Sequence, residues 1–158
     1  MDIRIDSEKE KFKFRVCGLL ENDGKFLAVR MQENKFFCLP GGHVEIGEDT
    51  EQAVLREMKE ELGYEVKINK LVAINQNFFT GSKGENFHEI AFYYIVNAKN
   101  LADMNPNDYD REEIDKGVLK HLEFRWFDID ELQTLDFRPA FLKETLKQND
   151  LIINITRD

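Results

Sequence analysis

The chain has 158 residues, of which 42% are hydrophobic, and this is long enough for a single domain with a substantial core. Its 31 acidic residues outnumber its 22 basic residues, and the net charge of −9 argues against nonspecific binding to nucleic acid or to an anionic membrane. This charge does not exclude a small anionic ligand, because a bound metal ion and a few local basic residues can reverse the sign inside a site.

The sequence contains no sign of export or of membrane insertion. The amino-terminal segment, MDIRIDSEKEKFKF, is charged and lacks an apolar signal core, and no run approaches the length of a membrane span. Cys17 and Cys38 lie in apolar, strand-like runs, which predicts reduced core residues rather than a disulfide framework. We therefore expect the protein to be cytoplasmic.

The first predicted elements are two strands joined by a tight turn. Apolar and basic residues alternate over residues 12–16, which predicts a half-buried strand that becomes fully apolar near Leu19 and Leu20. The Asn-Asp-Gly sequence at 22–24 is typical of a hairpin turn, and residues 25–30 are predicted to return as the second strand.

Residues 36–39 predict a short third strand, stopped by the proline that follows. The two glycines at 41–42 are then expected to allow a sharp turn of the backbone. A helix comes next, for which Asp49 or Thr50 is the predicted N-cap and Gly63 the predicted C-cap.

This helix carries a ridge of acidic residues. Glu57, Glu60 and Glu61 stand at i, i+3 and i+4, so a period of 3.6 residues places them within an arc of about 100°. The apolar residues of the adjoining arc, which we expect to face the core, are Val54, Leu55, Met58 and Leu62. Like charges at this spacing destabilise a helix, and oxygen-rich clusters suit hard cations. By itself the ridge fits an ordinary acidic surface helix or a site for Mg²⁺, with Mn²⁺ as a substitute, and the residues around it favour the metal site.

The elements after this helix predict helices packed on a mixed sheet. Strands are expected at 66–77, at 88–96 as a central strand apolar on both faces, and at 121–127. A helix is predicted to run from Pro139 to about residue 148. The tail, residues 151–155, is expected to add a short strand or to dock as coil.

Two polar segments between these strands are expected to be loops that border the substrate. Residues 79–86 are rich in glycine, and residues 100–117 form a longer and strongly acidic segment. A mobile surface loop is an equally good interpretation of each. Arg30 and Arg125 are candidates either for a contact with phosphate or for pairing on the surface.

The segment 42–64 resembles the signature of the Nudix hydrolase family and is MutT-like. The signature positions are Gly42, Glu48, Arg56-Glu57, Met58, Glu60-Glu61, Gly63 and Tyr64, and the preceding sequence FCLPGG is also typical of the family. All charged and glycine positions match. Only Met58 and Tyr64 depart from the aliphatic residues that the family usually has there. The resemblance implies the Nudix fold, an α/β/α sandwich with a mixed sheet, over residues 1–158.

The resemblance also implies roles for individual residues. The carbonyl of Gly42 is expected to bind the metal together with the three glutamates, and Arg56 is expected to orient the loop by pairing with Glu48. Within the signature, Glu57 is our choice for the base that activates water, and Glu60 is the second catalytic carboxylate. Some members use an acid from a later segment instead, for which the candidates here are Glu113 and Glu123.

The expected activity is metal-dependent cleavage of the pyrophosphate linkage in a nucleoside diphosphate joined to another group. Residues 77–80 lack the proline that ADP-ribose members usually carry past the signature, which favours a nucleoside triphosphate or a related nucleotide. Two alternatives stay open: an ADP-ribose or nucleotide-sugar pyrophosphatase, and a domain that senses a nucleotide without hydrolysis. The expected partner is a small-molecule nucleotide, without nucleic acid or membrane. Dimers are common among relatives, so a homodimer is also left open.

Overall fold

The computed structural model describes residues 1–157, in which nine strands form a mixed sheet with helices on both faces. The strands are β1 (Arg4–Asp6), β2 (Glu10–Asn22), β3 (Lys25–Met31), β4 (Gly41–His43), β5 (Val66–Thr80), β6 (Asn86–Ala98), β7 (Tyr109–Asp115), β8 (Val118–Asp128) and β9 (Ile152–Arg157). The helices are α1 (Thr50–Leu62), α2 (Ile129–Thr134) and α3 (Leu142–Thr145), and Leu101–Asp103 is a 3₁₀ turn.

The strand order is β7-β8-β3-β2-β6-β5-β9, and β1 and β4 pair with β2 outside this path. The pairs β2–β6 and β5–β9 are parallel, while the other pairs are antiparallel. One edge of β2 therefore meets β1, β4 and β3 in succession along its length. This change of partners brings the loop before α1 against the middle of the sheet.

The core has two layers, one on each face of the sheet, because neighbouring residues of a strand point to opposite sides. In β2, Val16 and Leu20 pack in the layer that contains the buried face of α1. Cys17 and Leu19 point the other way, into the layer that contains residues of α2 and α3. The expected α/β/α sandwich is confirmed. In the part of the chain that the structure describes, no helix is long and apolar enough to cross a membrane.

The predicted amino-terminal hairpin is confirmed, but the prediction of a third strand at residues 36–39 is wrong. Asp23 and Gly24 both have positive φ, at 50° and 76°, as a two-residue turn between twisted strands requires. Residues 36–39 form only isolated bridges, between Cys38 and Val29 and between Phe37 and Phe137. The second of these partners comes from the far end of the chain, so the segment lies between two elements instead of extending one ladder.

The prediction of a sharp turn at Gly41 and Gly42 is also wrong. Both residues belong to β4, and neither has a positive φ. Glycine is required there by close approach: a Cβ on Gly41 would lie 2.1 Å from the carbonyl oxygen of Val16. A Cβ on Gly42 would lie 2.3 Å from the carboxyl carbon of Glu57.

The acidic segment 100–117 is only partly a loop, because Tyr109–Asp115 forms β7 and pairs with β8. Its acidic residues meet basic residues across the ladder. Asp110 lies 2.7 Å from Arg125, and Asp115 lies 2.6 Å from Lys120. Opposite charges at diagonal positions across a ladder stabilise the pairing, and periodicity along one strand does not reveal them.

Other predictions differ from the structure in extent. Within residues 79–86 the loop is confined to 81–85, a tight turn in which the N–H of Gly81 donates to the carbonyl of Glu85 at 2.8 Å. The helix expected from Pro139 shrinks to α3, since i to i+3 bonds replace α-helical bonds on both sides of it. The tail forms the strand β9 and not coil. Leu55 is 37% exposed and does not face the core, because the buried arc of α1 ends before it.

Candidate active site

The helix α1 is fixed at both ends by its own sequence. The side chain of Asp49 accepts from the N–H of Gln52 at 2.8 Å, and the Gln52 side chain accepts in return from the N–H of Asp49 at 3.0 Å. Gly63 ends the helix in the left-handed conformation, with φ of 84°. Val54 and Met58 are completely buried and anchor the helix on the sheet. The predicted caps are confirmed, with Asp49 as the N-cap.

Two of the three predicted metal-binding glutamates lie on the buried side of this helix. With Ala53 at zero, steps of about 100° place Glu57 and Glu61 between Ala53 and Met58, both of which are completely buried. The Glu57 side chain is accordingly only 13% exposed, whereas that of Glu60 is 60% exposed. The structure therefore brings Glu57 and Glu61 together against the sheet and leaves Glu60 on the rim.

The glycines of β4 provide the opposite wall of this site. The N–H of Gly41 donates to Oε2 of Glu61 at 3.2 Å. Gly42 lies so close to the carboxylate of Glu57 that any side chain at that position would displace it. Because Gly41 and Gly42 have no side chains, the carboxylates of Glu57 and Glu61 have space to lie against β4.

Arg56 holds the loop before α1, and the pairing expected with Glu48 is present. Its Nε and Nη2 donate to the two carboxylate oxygens of Glu48 at 2.7 and 2.9 Å, and Nη2 also donates to the carbonyl of His43 at 3.0 Å. Its Nη1 donates to Glu57 at 2.8 Å and lies 3.5 Å from the Glu60 carboxylate. One guanidinium therefore links β4, the loop and the acidic ridge.

The two buried glutamates, Glu57 and Glu61, lie in surroundings that a bound cation would stabilise. Burial, together with the neighbouring charge of Glu57, raises the pKa of Glu61 to about 7. Burial also raises the pKa of Glu57, and the bond from Arg56 partly offsets it. Buried carboxylates with raised pKa values are suitable ligands for a hard divalent cation, because the cation would favour their ionised form.

The acidic ridge is not a ready-made metal centre, however. Among residues 1–157, no three His, Cys, Asp or Glu side chains are gathered closely enough to hold a metal ion as they stand. Glu60 is the member that lies apart, since its carboxylate faces solvent and its nearest cation is Arg56.

The two later acids proposed from the sequence have different surroundings. Glu123 accepts from Nε of Arg30 at 2.6 Å and lies on the side of β8 that faces away from the α1 layer. Glu113 lies 3.3 Å from Arg111, whose guanidinium donates to the backbone carbonyl of Glu61. Of the two, only Glu113 is connected to the acidic helix. Arg30 is paired with Glu123, and Arg125 is paired mainly with Asp110.

A cavity of about 770 Å³ opens on the face of the sheet opposite to α1. Its aromatic walls are Phe36, Phe79, Tyr93 and Phe141, and its polar lining includes Lys13, Arg15, Asn75, Asn77 and Glu89. Cys17 lines the cavity and pairs in register with Gly41, which binds Glu61. The cavity and the acidic ridge therefore meet at the β2–β4 pair.

Sequence reasoning did not find this cavity, because its lining comes from β2, β5 and β6 and from segments around residues 38 and 138. A signal was nevertheless present. Lys13 and Arg15 alternate with apolar residues, and the polar run Asn75-Gln76-Asn77 interrupts an otherwise apolar stretch, on strands that are paired along both edges. Polar residues at such positions indicate a cavity rather than a solvent face.

A family model described as the NUDIX domain matches residues 11–148. The chain therefore belongs to the Nudix family, and the resemblance in segment 42–64 is confirmed. An ADP-ribose pyrophosphatase from Methanocaldococcus jannaschii is 38% identical over 84 residues, which are 51% of this chain and 48% of that protein. A nucleoside triphosphatase NudI from Salmonella agona is 39% identical over 61 residues, 35% of this chain and 43% of that protein. The chain thus spans about half the length of the curated relatives it matches.

Solved structures agree on the fold. A NUDIX hydrolase from Nitrosomonas europaea aligns with a TM-score of 0.60 and 19% identity over 92% of this chain and 79% of that one. The E. coli ORF135 protein aligns with a TM-score of 0.56 and 24% identity over 86% of this chain and 89% of that one. At these identities the likeness concerns the fold alone.

Proposed function

We propose that this protein is a metal-dependent hydrolase that cleaves the pyrophosphate linkage of a nucleotide, most simply a nucleoside triphosphate. The observation that carries the proposal is the pair of buried carboxylates, Glu57 and Glu61, pressed against the glycines of β4 where the large cavity begins. A structural helix gains nothing from burying two acids side by side, since each loses hydration and repels the other.

Nudix hydrolases generally depend on a divalent metal, and for this chain we propose Mg²⁺, with Mn²⁺ as a substitute. Glu57, Glu60 and Glu61 would hold the ion together with the carbonyl of Gly42. Bound there, a divalent cation polarises phosphoryl oxygens and acidifies water. Two inner carboxylates and one exposed rim carboxylate fit an ion that keeps several waters and binds through few protein ligands.

The protein side chains have distinct proposed tasks. Glu57 accepts the proton of the attacking water, because it is buried and its pKa is raised toward the working pH. Glu60 assists from the rim. Arg56, held by both oxygens of Glu48, keeps the Glu57 carboxylate in one orientation. Glu48 thus has a structural role, and replacing it would affect the Glu57 carboxylate only through Arg56.

The nucleoside portion of the substrate is proposed to occupy the cavity. A volume of about 770 Å³ lies within the range of small-molecule sites, and the aromatic walls suit a planar base. Nucleoside triphosphatase activity is named for one relative and ADP-ribose pyrophosphatase activity for another, so ADP-ribose is the second candidate substrate. A single domain over residues 1–158, a cytoplasmic location and the oligomeric state stay predictions.

The test is a panel of the eight common ribo- and deoxynucleoside triphosphates, ADP-ribose and UDP-glucose, each with Mg²⁺ and with EDTA. Products are read as phosphate after coupling to pyrophosphatase and phosphatase. E57Q and E61Q should each cut turnover by about 100-fold or more, whereas E51Q, in the exposed first turn of the same helix, should not. Binding without turnover would favour the sensing alternative. The absence of both binding and turnover with every compound would overturn the proposal.

A further inference from the structure

Arg15 of β2 lies between the cavity and the acidic ridge. It pairs in register with His43 of β4 on one side and with Ala91 of β6 on the other. The next pair along the same ladder is Val16 with Gly42, the glycine that contacts Glu57. The Arg15 side chain points to the opposite face and lines the cavity. Among the described residues, it is the cavity-lining cation that belongs to the β2–β4 junction itself.

The guanidinium of Arg15 is poorly satisfied for its degree of burial. Its side chain is only 31% exposed, and an arginine carries five N–H donors. In the part of the chain that the structure describes, its single ionic partner is Glu89, at 3.8 Å, which is too long for a hydrogen bond. Arg30, Arg56 and Arg125 each donate to a carboxylate at 2.8 Å or less. Donors left free beside a cavity are available to a ligand.

The surroundings of Arg15 contain negative charge on both sides. Glu57 and Glu61 lie on the α1 side, against the β4 glycines that pair with Val16 and Cys17, and Glu89 lies on the cavity side. A ligand anion placed between the cavity and the ridge would therefore meet repulsion from three carboxylates and attraction from this arginine.

We propose that Arg15 binds the phosphate that connects the nucleoside in the cavity to the scissile pyrophosphate bond at α1, the α-phosphate of a triphosphate. This inference rests on the proposed function and adds a binding residue that lies outside the signature segment. Arginine suits the task, because its planar fork donates two parallel hydrogen bonds to phosphate oxygens. In the absence of substrate, the loose pair with Glu89 keeps the side chain in the cavity wall.

The neighbouring cations provide matched controls. Lys13 lines the same cavity two residues earlier on β2, but its ammonium lies over the ring of Phe87, 5.0 Å from the centroid. Arg138 lies at the exposed rim, over the ring of Phe36 and beside Asp136. Neither lies beside the β4 glycines, so removing either charge should affect binding much less than removing Arg15.

The kinetic test compares R15Q, R15K and K13Q on the best substrate of the panel. R15Q should raise KM by roughly 10- to 100-fold, the effect of one charge-assisted pair, and change kcat much less. R15K should recover part of this loss, and K13Q should raise KM several-fold less than R15Q does. An R15Q enzyme with a wild-type KM would overturn the inference while the proposed function stands. A wild type that hydrolyses nothing would overturn both.

A binding test without turnover separates phosphate recognition from a structural role. In EDTA, titration calorimetry measures the nucleoside 5′-monophosphate product and the matching nucleoside. The wild type should bind the monophosphate at least tenfold more tightly, and R15Q should lose this preference while keeping its affinity for the nucleoside. Equal weakening of both ligands, or a wild type without the preference, would contradict the inference.

R15Q leaves Glu89 without its cation, and an uncompensated carboxylate in the cavity wall destabilises the fold. The double variant R15Q/E89Q removes both charges, so that no unpaired carboxylate remains; Glu→Gln keeps the side-chain volume, and Arg→Gln shortens the side chain. It should show the same loss of phosphate preference, with E89Q alone retaining it. Retention of the preference in the double variant would overturn the inference.

Discussion

The contact between Gly42 and Glu57 offers the sharpest test of the site. In the variant G42A, the new Cβ would lie 2.3 Å from the carboxyl carbon and from Oε1 of Glu57. Ordinary contact begins at 3.4 Å, so the carboxylate has to move by about 1 Å. The backbone of Gly42 does not have a positive φ, so alanine itself causes no backbone strain.

A displacement of this size should impair function far more than it impairs the fold. Misplacing a catalytic group by 1 Å costs about 100-fold in rate, and disturbing the surroundings of a metal ligand costs about 10- to 100-fold in affinity. We expect G42A to bind Mn²⁺ at least tenfold more weakly in calorimetry and to lose about 100-fold in turnover with Mg²⁺. Its urea unfolding midpoint should stay close to that of the wild type.

G47A is the matched control with the opposite pattern. Gly47 has φ of 84°, and a Cβ added there would have nothing within 4 Å, so alanine strains the backbone without touching a carboxylate. It should lose about 1 kcal/mol of stability and keep its Mn²⁺ affinity. If G42A bound Mn²⁺ and turned over substrate like the wild type, Glu57 would not be the ligand and base assigned to it.

Three further predictions concern the helix and the loop before it. Replacing Glu57 or Glu61 by Gln should cut turnover by about 100-fold or more, while circular dichroism and the unfolding midpoint stay near those of the wild type. Full activity of the Glu57→Gln protein would show that another residue is the base. E48Q should cost about 1 to 3 kcal/mol near pH 7, because its charge-assisted bonds to the arginine of α1 are lost. Those bonds hold the pKa of Glu48 below its ordinary value of 4.5, so the stability they contribute is present above pH 4.5 and is lost as the pH falls through the lowered pKa. The gap between wild type and E48Q in urea titrations should therefore close in acid, and a constant gap would contradict this reasoning. Met58→Ala should destabilise the protein by about 2 to 5 kcal/mol and Leu55→Ala by less than about 1 kcal/mol, because only Met58 is completely buried. Equal losses of stability in urea unfolding would mean that the buried face of α1 has been assigned wrongly.

Features that depend on neighbouring residues could be predicted from the sequence. The hairpin turn at 22–24 and the caps at Asp49 and Gly63 depend on contacts between residues at most a few positions apart. The pairing of Arg56 with Glu48 was expected only from the family pattern, and the structure contains it. Spacing along one helix also placed Glu57 and Glu61 on a common face, although it did not show that this face is buried.

Features that depend on distant segments appear only in the folded chain. The arc of α1 that meets the sheet leaves Leu55 exposed and puts Glu60 on the rim. Pairing with β8 turns an acidic segment into a strand, since its charges are balanced by residues of the neighbouring strand, as Asp110 is by Arg125. The cavity and the position of Arg15 arise where three strands and the carboxy-terminal region converge. A local pattern cannot specify such a place, because the free energy that forms it comes from contacts between residues far apart in the chain.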